Sequence, residues 1–168
     1  RLCYHGNHLH LSSFQSSGLT SAITRLGKER MIQLDIITPD AHKKWEIGQP
    51  DNISIIRRKW NFQTIIHNIQ ACDIGLVPNA LCTQKSTESG LQENVSPPGI
   101  SNLDFQIRFK NKSNAGRSFV FHQLGIPVVA DITPSHFHIL GNPDNGFLAM
   151  NEDSWYESLS TLTNHQVR

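Results

Sequence analysis

Residues 111–131, NKSNAGRSFVFHQLGIPVVAD, predict a polar loop, a helix, a glycine stop and a buried strand, in that order. Gly125 stands just past the last helical turn, where helices favour glycine, and Pro127 opens the segment that follows. The run Val128-Val129-Ala130 is short, apolar and rich in β-branched residues, as is typical of a buried strand. A loop, a helix and a strand in succession are the repeating unit of an α/β protein.

The first turn of this helix is flanked by cations. Lys112 and Arg117 lie in or beside it, together with Ser113 and Asn114. Backbone N–H groups at a helix N-terminus favour an anion, whereas the helix dipole disfavours cations there. Lysine is a compact point charge and arginine a planar fork, and both bind phosphate. The pattern therefore indicates either a bound phosphate or a solvated loop.

Apolar strand segments alternate with helical segments over most of the chain. Strands are predicted at 2–7, including its Gly6-Asn7 turn, and at 31–37, 53–57, 71–77, 127–130 and 146–150. Helices are predicted from the serines at 12–17 to about Leu26, after Asp40, over 62–69, over 115–124, over 134–140, and over 153–162 with Asp153 as its cap. This alternation predicts an α/β, three-layer Rossmann-like domain with a mostly parallel sheet of about six strands.

Ligands of such sheets bind at the carboxyl ends of the strands. That edge is predicted to carry the turn His5-Gly6-Asn7, the loop from Arg57 to Trp60, the long polar segment 79–110, the loop at Lys112, and Asp131. Gly6 by itself favours a plain turn, because no three-glycine dinucleotide pattern or P-loop is present. Trp60 is compatible with stacking on a base or with packing in the core, and its place before an amphipathic helix favours packing.

Composition bounds the class of protein. The chain has 168 residues and a net charge of +1, which predicts one domain without the broad basic field of a nucleic-acid binder. Its mean hydropathy is -0.35, and no apolar run has transmembrane length. Three cysteines form no disulfide framework, which favours the cytoplasm; Cys3 and Cys72 are predicted to be buried, and Cys82 lies in a polar loop.

Two features concern the extent of the domain. Residues 79–110 are polar and without clear periodicity, which predicts a long flexible loop within a single domain spanning 1–168. The chain has no initiating Met and begins directly with a strand, so we expect it to be part of something longer.

Four strings together resemble the C-terminal, nucleotide-sugar-binding lobe of GT-B glycosyltransferases of the group 1 type. They are DIGLVP at 73–78, KSN at 112–114 with Arg117, LGIPVVAD at 124–131, and NGFLA at 145–149 with Trp155. The resemblance covers nearly the whole chain. It implies that the N-terminal acceptor lobe is absent from this chain, and that this fragment alone is inactive.

The resemblance also implies roles for particular residues. The donor diphosphate would be bound by Gly6, Asn7, Lys112, Ser113, Asn114 and Arg117. The donor base or sugar would be approached by His5, Arg57, Trp60 and Asp131. Transfer would need no metal or other cofactor, because the cations neutralise the leaving diphosphate. The acceptor, whether a saccharide, a lipid-linked glycan or another molecule, is not indicated, and the full-length enzyme would be cytoplasmic or peripheral to the membrane.

The chain departs from the retaining members of that family, which carry a pair of glutamates on this helix. The corresponding positions fall near Lys112 and Val120, and neither is acidic, so no catalytic residue is assigned. The pairs His8-x-His10 and His136-x-His138 would place both rings on one side of an extended segment, which suggests a metal site as a rival. Further alternatives are a non-catalytic Rossmann-like binding domain and an enzyme similar to nucleotide-sugar epimerases.

Overall fold

The structure, a computed structural model, describes residues 1–40, 52–79 and 115–164. The helix predicted after Asp40, the loop 79–110 beyond Asn79, Cys82 and the residues Lys112 to Asn114 lie outside these ranges.

The described residues form an α/β domain with six parallel strands in one sheet, as the alternating pattern predicts. The strands are β1 (Leu2–His5), β2 (Ile32–Thr38), β3 (Ile53–Lys59), β4 (Ile74–Val77), β5 (Val128–Asp131) and β6 (Gly146–Ala149). Their order across the sheet is β3-β2-β1-β4-β5-β6, and every neighbouring pair is parallel. This is the order of the Rossmann fold.

Helices cover both faces of the sheet. They are α1 (Ser13–Ser16), α2 (Leu19–Gly27), α3 (Ile65–Gln70), α4 (Gly116–Gln123), α5 (Pro134–Leu140) and α6 (Glu152–Asn164), with 3-10 turns at His8–Ser12 and Pro143–Asn145. Under α1, α2 and α6 the buried side chains include Phe14, Ile23, Leu34, Leu76, Trp155 and Leu159. Under α3, α4 and α5 they include Cys3, Ile69, Val77, Phe121, Val128 and Leu140. The predicted three layers are therefore confirmed.

The helix predicted from the serines to about Leu26 is interrupted. Ser17 and Gly18 separate α1 from α2, and Gly18 has φ +80. A Cβ on Gly18 would lie 2.6 Å from the backbone nitrogen of Glu152, so the glycine lets α2 begin directly against α6. The interruption is therefore a packing device that the local pattern of apolar residues does not reveal.

Two other helix starts differ from prediction. Helix α3 begins at Ile65, later than expected, and Phe62 and Ile66 are 80% and 57% exposed instead of packing on the core. Helix α6 begins at Glu152, and its cap is Asn151, whose Oδ1 accepts a hydrogen bond of 3.0 Å from the backbone N–H of Ser154. The predicted cap, Asp153, instead pairs with Arg25 at 3.1 Å.

A buried carboxylate on the α3 face connects β2 to β3 and to Arg1, which precedes β1. Asp35 of β2 accepts hydrogen bonds from Arg1 (3.1 Å), Arg58 of β3 (3.0 Å) and Gln33 (2.6 Å). Burial works to raise the pKa of this carboxyl, but the hydrogen bonds and the two positive charges outweigh burial and lower it. Asp35 is thus an ionised structural centre away from the carboxyl edge of β4 and β5.

Cys3 and Cys72 are buried, as predicted, and neither forms a disulfide. Within the described ranges, no helix combines the length and apolar character that crossing a bilayer would require.

Candidate functional site

The sheet has a topological switch point between β1 and β4. From β1 the chain runs outward to β2 and β3 on one side, and β4, β5 and β6 continue on the other. Connections on opposite sides of the sheet leave a crevice at the carboxyl ends of the two central strands, where ligands of this fold bind. Gly6 and Asn7 follow β1 at this crevice, and Pro78 and Asn79 follow β4.

The turn at Gly6 brings the backbone close to two side chains. Gly6 has φ +146, and its N–H donates to the carbonyl of Ile37 at 3.1 Å. A Cβ at this position would lie 3.2 Å from the hydroxyl oxygen of Tyr4 and 3.3 Å from Cδ of Arg117. Both the backbone angle and the limited space therefore favour glycine here.

Arg117, the second residue of α4, extends over the ends of β1 and β4. Its Nη2 donates to the carbonyl of Pro78 at 3.2 Å and to Oδ1 of Asn79 at 2.9 Å. Its guanidinium carbon lies 5.7 Å from the centre of the Tyr4 ring. Nη1 is buried and has no hydrogen-bond partner among the described residues. A guanidinium nitrogen without an acceptor is unfavourable by about 1–3 kcal/mol, so an acceptor from outside the described ranges would stabilise the site.

Asn79 links Arg117 to Asp131, which ends β5. The backbone N–H of Asn79 donates to Oδ2 of Asp131 at 2.5 Å. Nδ1 of His136 lies 2.9 Å from the carbonyl oxygen of Asp131 and 3.3 Å from Nδ2 of Asn79. A carbonyl and an amide NH₂ need opposite partners, so Nδ1 of His136 cannot serve both. The contact with the Asp131 carbonyl is the shorter one, which indicates that Nδ1 of His136 carries a proton and donates it to that carbonyl oxygen.

The buried groups at this edge have shifted pKa values. Burial raises the pKa of the Asp131 carboxyl to about 7, although the Asn79 N–H, Trp155 and the charge of Arg117 oppose this shift. Burial lowers the pKa of His5 to about 4, and the charge of Arg117 adds to the effect. Burial also lowers the pKa of His136. Near neutral pH the two imidazoles are therefore uncharged, and Arg117 supplies the local positive charge.

The structure brings together only some of the residues predicted from the sequence. Gly6, His5 and Arg117 are neighbours, and Asp131 joins them through Asn79. Asn7 contributes its carbonyl oxygen, which accepts a hydrogen bond of 2.8 Å from the Tyr4 hydroxyl. Lys112, Ser113 and Asn114 lie outside the described residues.

Arg57 lies in β3, the strand at one edge of the sheet, and Trp60 directly follows that strand. Strands β2 and β1 separate β3 from the switch point. Trp60 is 42% exposed, so the interpretation of this residue as part of the core is wrong.

The paired histidines do not have the geometry on which a metal site was suggested. His136 and His138 lie within α5, where positions two apart point to different sides, and His136 is buried whereas His138 is exposed. His8 and His10 lie in a 3-10 turn instead of an extended segment. Within the described ranges, no three metal-ligating side chains come together.

Three features of the site were not predicted from the sequence: Tyr4, Asn79 and the buried role of His136. Tyr4 was visible only as an apolar strand residue, and its hydroxyl approaches the crevice because β1 ends at His5. Asn79 directly follows the proline that ends β4, so its place at the strand terminus was the available signal. Its partners lie on other elements, and no local pattern identifies them.

Comparison of the sequence with models of known protein families finds no match, and no curated protein matches it significantly.

Proposed function

We propose that this chain is the nucleotide-sugar-binding lobe of a GT-B glycosyltransferase, and that it holds the donor diphosphate between the Gly6 turn and Arg117. The observation that carries the proposal is the partly buried guanidinium at the switch point, with Nη1 unpaired among the described residues. A diphosphate oxygen is an acceptor of the right charge for that nitrogen. The exposed turn at Gly6 and Asn7 would form the opposite wall.

The chemistry of the lobe would be electrostatic. When a glycosyl group leaves a nucleoside diphosphate, negative charge grows on the terminal phosphate. Arg117, kept charged beside neutral His5, would stabilise that charge without a metal ion. Val120, near one of the positions where retaining members of that family carry a glutamate, packs against the core under α4 instead. An acceptor-binding lobe and the groups that activate the acceptor would have to come from outside this chain.

Thermal unfolding with a panel of nucleoside diphosphates and their sugar conjugates tests the proposal. At least one base should raise the melting temperature of the chain, and the nucleoside without phosphates should raise it much less. Arg117→Ala should weaken binding by about 10- to 100-fold, since it removes a hydrogen bond between charged groups. Arg25→Ala is the matched control, because its guanidinium pairs with Asp153 on the α2–α6 surface, away from the crevice.

Lys112→Ala combined with Arg117→Ala extends the test to the predicted diphosphate-binding residue beyond the described ranges. No stabilisation of the intact chain by any nucleotide, or equal stabilisation of this double variant, would contradict the proposal. If the chain binds, release of nucleotide in the presence of an upstream lobe and an acceptor tests transfer itself.

A binding domain without turnover is the second candidate. It is favoured by the described residues of α4, which include no carboxylate. Such a domain would bind the nucleoside diphosphate with the same dependence on Arg117. It would differ in giving no nucleotide release with any lobe or acceptor.

A further inference from the structure

Asn79 makes polar contacts with three separate elements from one nearly buried position. It is 8% exposed and directly follows Pro78 at the end of β4. Its backbone N–H binds the carboxylate of Asp131 at the end of β5, and its side-chain oxygen accepts from Arg117 of α4. Its side-chain nitrogen lies 3.3 Å from His136 of α5. Asn79 therefore connects Asp131 to Arg117 through its own hydrogen bonds.

The chemistry of its partners fixes the orientation of the Asn79 amide. Arginine has only donors, so the atom of Asn79 that faces Arg117 must be the oxygen. The nitrogen is then directed toward His136, whose Nδ1 already donates to the Asp131 carbonyl. The amide is therefore held by its contact with Arg117 and by the backbone bond to Asp131, not by His136.

Arg117 in turn depends on Asn79 for its direction. The two hydrogen bonds of its Nη2 end on Pro78 and Asn79, at 3.2 and 2.9 Å, and only the second acceptor is a side chain. Because a guanidinium is planar, fixing Nη2 from two directions also fixes where Nη1 lies. Because Asn79 is neutral, it holds the guanidinium of Arg117 without cancelling its positive charge. A carboxylate at this position would cancel that charge.

We propose that Asn79 is the positioning residue of the proposed diphosphate site, and that it connects Asp131 to Arg117 so that Nη1 of the guanidinium is directed to the phosphate. The inference rests on the proposed function. It adds a residue that touches no ligand and acts through Arg117.

Two substitutions separate the geometry of Asn79 from its charge. Asn79→Ala removes the acceptor, and we expect the affinity for the nucleoside diphosphate to fall about tenfold, as for the loss of one hydrogen bond to a charged group. Asn79→Asp keeps the shape and the acceptor but pairs its charge with Arg117. We expect it to lower the affinity at least as much and to weaken the dependence of binding on salt.

The readout is the ratio of two affinities, measured by NMR or calorimetric titration of the full chain with the nucleoside diphosphate and with the nucleoside alone. If Asn79 positions Arg117, Asn79→Ala should lower only the affinity for the nucleoside diphosphate and leave the affinity for the nucleoside unchanged. In a cycle with Arg117→Ala, Asn79→Ala should then have no further effect, because the residue it positions is gone. If Asn79→Ala does not fold, Asn79→Ser, which also lacks the amide oxygen that accepts from Arg117, carries the same comparison.

The outcomes distinguish this inference from the proposed function. If the unmodified chain binds no nucleoside diphosphate, the proposed function fails. If the chain binds and Arg117→Ala weakens binding, but the Asn79 variants leave the affinity ratio unchanged, only the positioning role is overturned. Equal losses for nucleoside and diphosphate in Asn79→Asp would likewise show a structural role and overturn it.

Discussion

At the scale of single residues, Gly6 and Arg117 depend on each other. Gly6 has φ +146, a conformation that other residues rarely adopt. Its missing Cβ leaves room for Cδ of Arg117, which would otherwise be 3.3 Å away. A larger residue at position 6 would therefore strain the turn and displace the arginine from the end of β1.

We predict that Gly6→Ala destabilises the fold by about 1–2 kcal/mol, from backbone strain and crowding of Tyr4 and Arg117, and also weakens nucleotide binding. Gly125→Ala is the control, because Gly125 has φ +72 but nothing within 4 Å of its Cβ position. Gly125→Ala should lower the free energy of unfolding by about 1 kcal/mol and leave the affinity for the nucleotide unchanged. Urea unfolding and nucleotide titration measure both, and equal affinities for the two variants would contradict the prediction.

The residues of the candidate site were predictable to different degrees. Arg117 and Gly6 stand out in the sequence because a cation at a helix N-terminus and a glycine after a strand are local signals. Asn79 does not, since its importance comes from Asp131, which is 52 residues away along the chain. Trp60 shows the opposite error, because an aromatic residue beside an amphipathic helix suggested packing that the edge position of β3 does not provide.

At the scale of elements, two features position α4: the hydrogen bonds at its C-terminal end, and the contact of Phe121 with β4 in its middle. Ile126 N–H bonds to the carbonyl of Phe121 and Gly125 N–H to that of His122, each at 3.0 Å, which is the Schellman arrangement that the Leu-Gly-Ile-Pro string indicates. In the middle, the ring of Phe121 covers Gly75 of β4 so closely that a Cβ there would lie 2.5 Å from it. This close approach sets the distance of α4, and hence of Arg117, from the sheet.

We predict that Gly75→Ala destabilises the protein by about 1–3 kcal/mol, because the new methyl group overlaps Phe121 and forces α4 outward. Phe121→Leu alone should also destabilise, since it removes part of the core. The double variant should be less destabilised than the sum of the single variants, because leucine makes room for the methyl group. Strict additivity in denaturant unfolding would show that this contact does not set the position of α4.

Element boundaries depended on contacts outside each segment. The strands β2, β4 and β5 were predicted because their apolar runs are self-evident, whereas the break at Gly18 follows from α6 packing within 2.6 Å. Likewise Asn151 caps α6, although Asp153 is an equally acceptable cap by residue type. Asp153 lies inside the first turn of the helix and pairs with Arg25 of α2. Capping preference alone could not choose between them.

At the scale of the whole molecule, burial at the crevice edge couples stability to pH in two opposing ways. Asp131 has its pKa raised from 3.8 to about 7, so its contribution to stability is full below about pH 4 and is lost as the pH rises through about 7. His5 has its pKa lowered from 6.5 to about 4, so its contribution is full above about pH 6.5 and is lost as the pH falls through about 4. Between about pH 4 and pH 6.5, the loss of stability from Asp131 and the gain from His5 with rising pH therefore oppose each other.

We predict that Asp131→Asn, which stays neutral, changes the slope of stability against pH. Between pH 4 and 7, the free energy of unfolding of the unmodified protein should fall relative to the variant, by up to a few kcal/mol at about 1.4 kcal/mol per pKa unit. His5→Gln should give a difference of the opposite sign over pH 4 to 6.5. Urea unfolding at half-unit pH steps checks both, and parallel curves for Asp131→Asn would contradict the raised pKa.

The sequence by itself determined the class of fold: six apolar strands, separated by glycine, proline and amphipathic segments, are local signals, and continuous apolarity requires helices on both faces. Only the tertiary structure decided that β4 lies against β1, and therefore that Asn79 meets Arg117 beside Gly6. The reason is physical. Periodicity records whether a residue is buried, but strand order and side-chain partners follow from packing among segments far apart in the chain, which no single segment encodes.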